Sequence, residues 1–275
     1  MDFLTVLFVF IFGTIIGSFL NVVILRYNTG ATLGGRSKCF SCNKVVCWYD
    51  LLPVLSFFFL LGKCRACKSR LSVQYPLVEF LTGVLFLGVF LKYGVSFISL
   101  VDMVGIALIT VIAVYDLRHK IIPDPAVFLF SLLALGKIFY LIPVSLLFRF
   151  PYIMELSAGP ILALPIFILW VASKGSWIGL GDAKLALGIG WFLGLSLGLS
   201  SIIIGFWIGA VIGLSLICFS KLSAHESGKQ LLRFLKVRSF GMKSEIPLAP
   251  FLITGVFIVY FFEINVTGLS VFGIL

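Results

Sequence analysis

Charge is scarce in this chain: Asp, Glu, Lys and Arg make up 12% of its 275 residues, against 61% hydrophobic. So little polar surface cannot cover a soluble globule of this length, which excludes an ordinary soluble enzyme or binding domain. Acidic residues are scarcer still, 11 against 21 lysines and arginines. No basic segment precedes the first apolar stretch and no small-residue cleavage site follows it, so residues 1–25 read as a first membrane span with its N-terminus outside, not as a removable signal. A soluble basic domain is also missing. The excess positive charge lies in connections between apolar runs, where it sets topology and meets anionic lipid heads. Membrane lipids are therefore expected partners and nucleic acid is not. Neither an internal repeat nor a low-complexity tract is apparent.

What the chain has in abundance is long apolar runs. About eight of them can cross a bilayer, at 3–25, 76–92, 97–115, 124–142, 157–173, 185–199, 202–219 and 248–270. The expected fold is an all-α polytopic membrane protein. Its parts are a first span over 1–25, a cytoplasmic loop domain over 26–75, and a transmembrane core over 76–275 with a cytoplasmic loop at 220–247. Segments 26–75 and 220–246 carry most of the lysine and arginine, and the positive-inside rule puts both in the cytoplasm. With the N-terminus outside, every basic connection falls on that side, and so do Asp116 and Asp182. The apolar block 185–219 needs a tight turn, expected near Ser200–Ser201. Lys137, inside the fourth span, is expected to snorkel outward, leaving 143–156 interfacial. Glycines spaced through 179–213 permit close helix packing.

The first basic loop contains Cys39-x-x-Cys42 and, 21 residues later, Cys64-x-x-Cys67. Paired knuckles at this spacing fit a closed, four-thiolate structural zinc site. Reduced or redox-active thiols and disulfides are the alternatives, and a reducing cytosol disfavours disulfides. Cys47 and Cys218 fall outside the pattern and read as ordinary small residues.

A carboxylate at membrane depth costs on the order of 3 kcal/mol and is a functional candidate by default. Asp116 lies in YDLRHKIIPD and Asp182 in GLGDAK, where two glycines allow close backbone approach. Two carboxyls sharing one proton can activate water and polarise a carbonyl, which is aspartic-protease chemistry. The bland reading pairs Asp116 with Arg118 or Lys120 and Asp182 with Lys184. Asp102 can be solvated or paired, Asp124 reads as a cap or loop carboxylate, and His119 as a solvated or capping histidine. Glu79, in YPLVEFLTG, has no positive partner within its helix and is a further functional candidate.

Taken in order, GTIIGSFLNVVILR at 13–26, the cysteine pairs, WYDLLPVLS at 48–56, GKCRAC at 62–67, YPLVEFLTG at 75–83, the two aspartate motifs and EIPLAPFLITG at 245–255 form one series. The chain resembles the bacterial type IV prepilin peptidases, GxGD aspartic proteases that are both leader peptidases and N-methyltransferases. The resemblance implies cleavage of the basic leader of type IV prepilins and pseudopilins at the cytoplasmic face of the bacterial inner membrane. Methylation of the new N-terminus from S-adenosylmethionine would follow. It makes Asp116 and Asp182 the catalytic pair and links Gly62 and Lys63, with Glu79 beside them, to methyl transfer. Ala249 stands where the family's closing motif commonly has glycine, and Gln74 where a basic residue is frequent. Two other readings stay open: a GxGD protease without methyl transfer, which the cysteine loop argues against, and a proton-coupled transporter, whose site would lie nearer the midplane.

Overall fold

The computed structural model describes residues 2–30, 32–222 and 247–268. The expected basic loop at 220–247 and the far end of the last span lie almost wholly outside the described residues. The helices are α1 (Phe3–Arg26), α2 (Leu55–Phe59), α3 (Gln74–Tyr93), α4 (Phe97–His119), α5 (Asp124–Leu141), α6 (Val144–Leu147), α7 (Tyr152–Ser173), α8 (Leu180–Leu222) and α9 (Ala249–Phe262). A 3₁₀ turn occupies Trp48–Leu51. Among the described residues, six helices are long and apolar enough to cross a membrane. Large apolar side chains such as Phe8, Leu100, Leu132 and Leu214 stay exposed on these helices, the surface a lipid solvent takes. The chain is an all-helical, multi-pass membrane protein.

Two compact units make up the chain, Met1–Tyr115 and Asp116–Leu275, with the boundary inside α4. In the first unit α1 and α3 pack through a seam of small residues. A methyl group on Gly13 would stand 2.8 Å from the Gly83 backbone, and one on Gly17 2.7 Å from that of Glu79. Without a hydrophobic drive between helices in lipid, this close approach is what supplies the packing energy.

In the second unit α8 is the hub, packed by α5, α7 and α9. Gly188 faces the Phe130 ring, Gly190 lies on the Ala158 backbone, and Gly205 lies on that of Leu252. The rings of Phe130, Phe192 and Tyr260 run through its centre with centroids 5.4 and 5.7 Å apart.

Two sequence expectations are corrected here. The turn in the 185–219 block falls at Gly194 (φ 78, ψ 177) and not at Ser200–Ser201. Gly198 returns to lie against Gly190, which a continuous helix cannot do, so α8 doubles back. The described residues thus hold six helices of spanning length where the sequence suggested about eight, with α9, at 14 residues, shorter than a full crossing. Lys137 is 4% exposed, and its Nζ sits 4.9 Å from the centre of the Phe192 ring. It points inward to a cation–π contact instead of snorkelling out.

Candidate active site

The segment carrying the first aspartate is shaped by a helix stop and a restart. Lys120 takes a left-handed turn (φ 55), and its amide closes on the Asp116 carbonyl at 2.7 Å, ending α4. Pro123 then precedes α5, which starts at Asp124 with Pro125 in its first turn, where a missing N–H costs nothing. Asp116 thus lies in the last turn of α4, 4% exposed, with the Ala249 amide at the start of α9 donating to its carboxyl.

Asp182 occupies the first turn of α8. Its Oδ2 accepts the Gly179 amide at 3.2 Å, and its own amide donates to the Gly179 carbonyl at 3.2 Å. This reciprocal arrangement satisfies helix-start donors as a capping box does. A methyl on Gly181 would stand 2.9 Å from Ile122 Cβ, so the second glycine of GLGD is the floor on which the Asp116 segment rests. Lys184 Nζ reaches Asp124 Oδ1 at 2.7 Å and adds a second tie between the two motifs.

These ties set the segment that carries Asp116 against the segment that carries Asp182. Asp182 is 7% exposed, and its Oδ1 is buried with no hydrogen-bond partner among the described residues. Two carboxyls that meet in a buried site can share one proton. One oxygen can then accept a proton from water while a neighbouring hydroxyl donates to a carbonyl.

Of the other sequence candidates, Lys184 pairs with Asp124 and not with Asp182, and His119 is exposed at the end of α4. The Lys184–Asp124 pair is solvent-exposed, with side chains 44% and 68% accessible. Lys184→Ala should therefore cost only about 0.2–1 kcal/mol. The expected result is a small loss in melting temperature and a cleavage rate within a few-fold of wild type; a complete loss would give this lysine a larger part.

The cysteine loop, in the first unit, is built from two like knuckles. The Cys39 amide meets the Lys44 carbonyl at 3.0 Å and the Asn43 amide meets the Cys39 carbonyl at 2.9 Å. Cys64, Ser69 and Lys68 repeat the pattern at 2.8 and 3.0 Å, and Asn43 and Lys68 share the left-handed conformation. The four sulfurs of Cys39, Cys42, Cys64 and Cys67 lie within 4.8 Å of one another, and Cys39 and Cys67 are 3.8 Å apart. That is the edge of a tetrahedron with arms of ~2.3 Å, and far too long for a disulfide. Amides of Cys42 and Ser41, aimed at the Cys39 sulfur, pull its pKa down to about 6 and favour the thiolate that a metal needs. The cluster can hold a metal ion.

Gly62, beside the second knuckle, is left-handed (φ 65), and a methyl there would stand 3.0 Å from the Phe57 ring. Lys63 bridges to Arg70 across the same knuckle. Glu79 is 7% exposed on α3, and its Oε2 accepts the Val54 amide at 2.7 Å.

Sequence reasoning missed three features. Ala249 acts through its amide, which no side-chain pattern announces; it sits at a helical first position, so a methyl in place of the usual glycine hydrogen is tolerated. The Ile122–Gly181 contact joins motifs far apart in sequence. Glu155, in the stretch expected to be interfacial, is 5% exposed in α7 against the Gly194 turn, with Oε2 unpartnered among the described residues. An acid inside an apolar run was the available signal.

Residues 11–93 match the bacterial peptidase A24 N-terminal domain, and residues 103–214 match the type IV leader peptidase family. A prepilin leader peptidase/N-methyltransferase of Bacillus subtilis is 31% identical over 189 residues, 68% of this chain and 73% of that protein. Proteins with the same description in Neisseria gonorrhoeae and Myxococcus xanthus are 28% identical over 211 residues and 40% identical over 117. The first of these matches spans 68% of this chain and 73% of its relative, the second 42% and 35%. No solved structure matches the chain. With both halves matched in order and a relative aligned over two thirds of its length, the chain belongs to the bacterial type IV leader peptidase family.

Proposed function

We propose that this protein removes the leader peptide of type IV prepilins and pseudopilins with Asp116 and Asp182, and then N-methylates the residue so exposed. The observation that carries the peptidase half is the packing of Ile122 against Gly181, which joins the segments bearing two buried carboxyls in a chain of the leader peptidase family. Methyl transfer rests on the N-methyltransferase named for relatives aligned over 68% of the chain.

In the cleavage step the ionised carboxylate takes a proton from water as the oxygen attacks the scissile carbonyl. The protonated partner donates to the carbonyl oxygen, and collapse returns a proton to the leaving amine. Asp182 is held by the Gly179 amide through Oδ2, which leaves the buried Oδ1 to face the shared proton. The Ala249 amide holds Asp116 as the Gly179 amide holds Asp182, so each carboxyl is oriented by one backbone donor.

The distribution of lysine and arginine supports a bacterial inner-membrane location with the N-terminus outside and the aspartates facing the cytoplasm. Zinc is the metal that best suits four thiolates in two such knuckles, and its part there is to hold the loop together. Gly62 and Lys63 support methyl transfer as positioning residues, because both shape the knuckle that seats Phe57.

Intact-mass spectrometry of a purified prepilin, incubated with the reconstituted chain and S-adenosylmethionine, tests both halves. Loss of the leader plus one methyl group is expected. Leader loss alone, with donor present, would remove the methyltransferase half.

A further inference from the structure

A cavity of about 930 Å³ lies wholly within the first unit, enclosed by the end of α1, the start of α3 and the loop between them. This is near the upper end of the range, about 300–1,000 Å³, in which small-molecule sites fall. Neither the carboxylate pair nor the four cysteines accounts for it: the aspartates belong to the other unit, and only Cys39 and Cys64 touch its wall.

Two carboxylates line it, Glu79 and Asp50, and Asp50 is taken up by Arg65. Glu79 is more than nine-tenths buried and points to the cavity from α3. The Val54 amide donates to Oε2 at 2.7 Å, and the Ser18 hydroxyl donates to the same carboxyl. Val54 takes a positive φ (φ 63, ψ −52), the centre of a γ-turn, to deliver that amide, a strained choice for a β-branched residue. Two donors leave about half of a carboxylate's acceptor positions open. Farther up the wall, Arg65 pairs with Asp50 at 2.7 Å and lies 5.2 Å above the Tyr49 ring. Arg36, Lys38 and Lys44 supply positive charge along the loop side.

The cavity therefore offers a buried anion at one end, aromatic faces at Phe57 and Tyr49, and cations on the loop wall. A nucleoside carrying a cationic sulfonium and an amino-acid tail presents the complementary groups: a flat base, a positive centre and a terminal carboxylate. We propose that this cavity takes S-adenosylmethionine together with the newly exposed N-terminal residue of the substrate, and that Glu79 holds that residue's amine and receives its proton. This rests on the methyltransferase half of the proposed function. Once the ammonium has given its proton to the Glu79 carboxylate, the nitrogen lone pair forms the new bond to the methyl carbon. The methyl–sulfur bond breaks with its electron pair left on sulfur, giving a neutral thioether, and the positive charge passes to the methylated amine. Gly62 is then a positioning residue, because a side chain there would push Phe57 into the cavity.

The test uses the full chain in lipid. Ultraviolet cross-linking of radiolabelled S-adenosylmethionine, followed by peptide mapping, should label segments within residues 18–79, and unlabelled S-adenosylhomocysteine should compete. Glu79→Gln keeps the shape and the Val54 contact, and should lower methylation by about a hundredfold or more while prepilin cleavage continues. Labels mapping only to residues 116–268, with wild-type methylation intact, would overturn the cavity assignment and leave the activity standing. Full methylation by Glu79→Gln would overturn the role of the glutamate. A wild-type chain that cleaves but neither methylates nor cross-links would remove the underlying reading itself. Should Glu79→Gln also lose cleavage, the wild-type cross-link map decides alone.

Discussion

Replacing Asp182 with asparagine is expected to lower prepilin cleavage by about a thousandfold, and Asp116→Asn should do the same, since general acid–base catalysis contributes about 10²–10⁴-fold. The amide is isosteric, so the reciprocal contact with Gly179 survives: the asparagine carbonyl can still accept that amide. What is lost is the capacity to exchange a proton at Oδ1, which is buried and unpartnered among the described residues. Folding should not suffer, because a neutral amide of the same shape replaces a buried carboxyl and brings no charge to be desolvated. The expected signature is thus a chain with unchanged or slightly raised melting temperature and almost no leader cleavage. A variant cleaving at near wild-type rate would make Asp182 a helix-capping residue and nothing more.

The second large effect concerns the cysteine loop. The purified chain should carry one zinc ion, and either Cys64→Ser or a strong chelator should release it. Four-thiolate sites bind zinc with an apparent free energy on the order of 10 kcal/mol in small peptides, where that binding is also the folding energy. The loop has little else to stabilise it. Residues such as Phe40, Trp48, Phe58, Phe59 and Leu61 are largely exposed, and of the loop's apolar side chains only Cys39 is buried among the described residues. Without metal, limited proteolysis should cut between residues 38 and 71, where the holo chain resists. All four thiols must give up a proton to bind the metal, and burial and the neighbouring cysteines push the Cys42 thiol up to about 11 while Cys39 is drawn down to about 6, so zinc affinity should fall steadily as the pH is lowered. A metal-free preparation with a protease-resistant loop would contradict this account of the knuckles.

Much of this was legible in the residues because a membrane solvent constrains sequence so tightly. Charge scarcity and run length gave the helices, cysteine spacing gave the knuckles, and two acids at span ends gave the candidate pair. The failures have local physical causes. Ser200 and Ser201 look like a polar break, but their hydroxyls bond back to the Ser196 and Gly198 carbonyls at 2.9 and 2.7 Å and sit comfortably in a helix. The reversal needs a backbone that glycine alone adopts readily, and nothing in composition separates Gly194 from its many neighbours. Lys137 was expected to reach for water because its stem is long, yet an aromatic face within the fold satisfied the charge. Ala249 and Ile122 escaped because their contributions, an amide and a surface of contact, depend on where distant segments meet.

The most direct test of the central claim is the cleavage rate of one purified prepilin by four forms of the chain: wild type, Asp116→Asn, Asp182→Asn and the double variant. Two carboxyls that work as one proton-sharing unit predict that each single variant falls to the same residual rate, and that the double falls no further. Rates that multiply, with the double lower than either single by the product of their losses, would show two independent groups and contradict the pair.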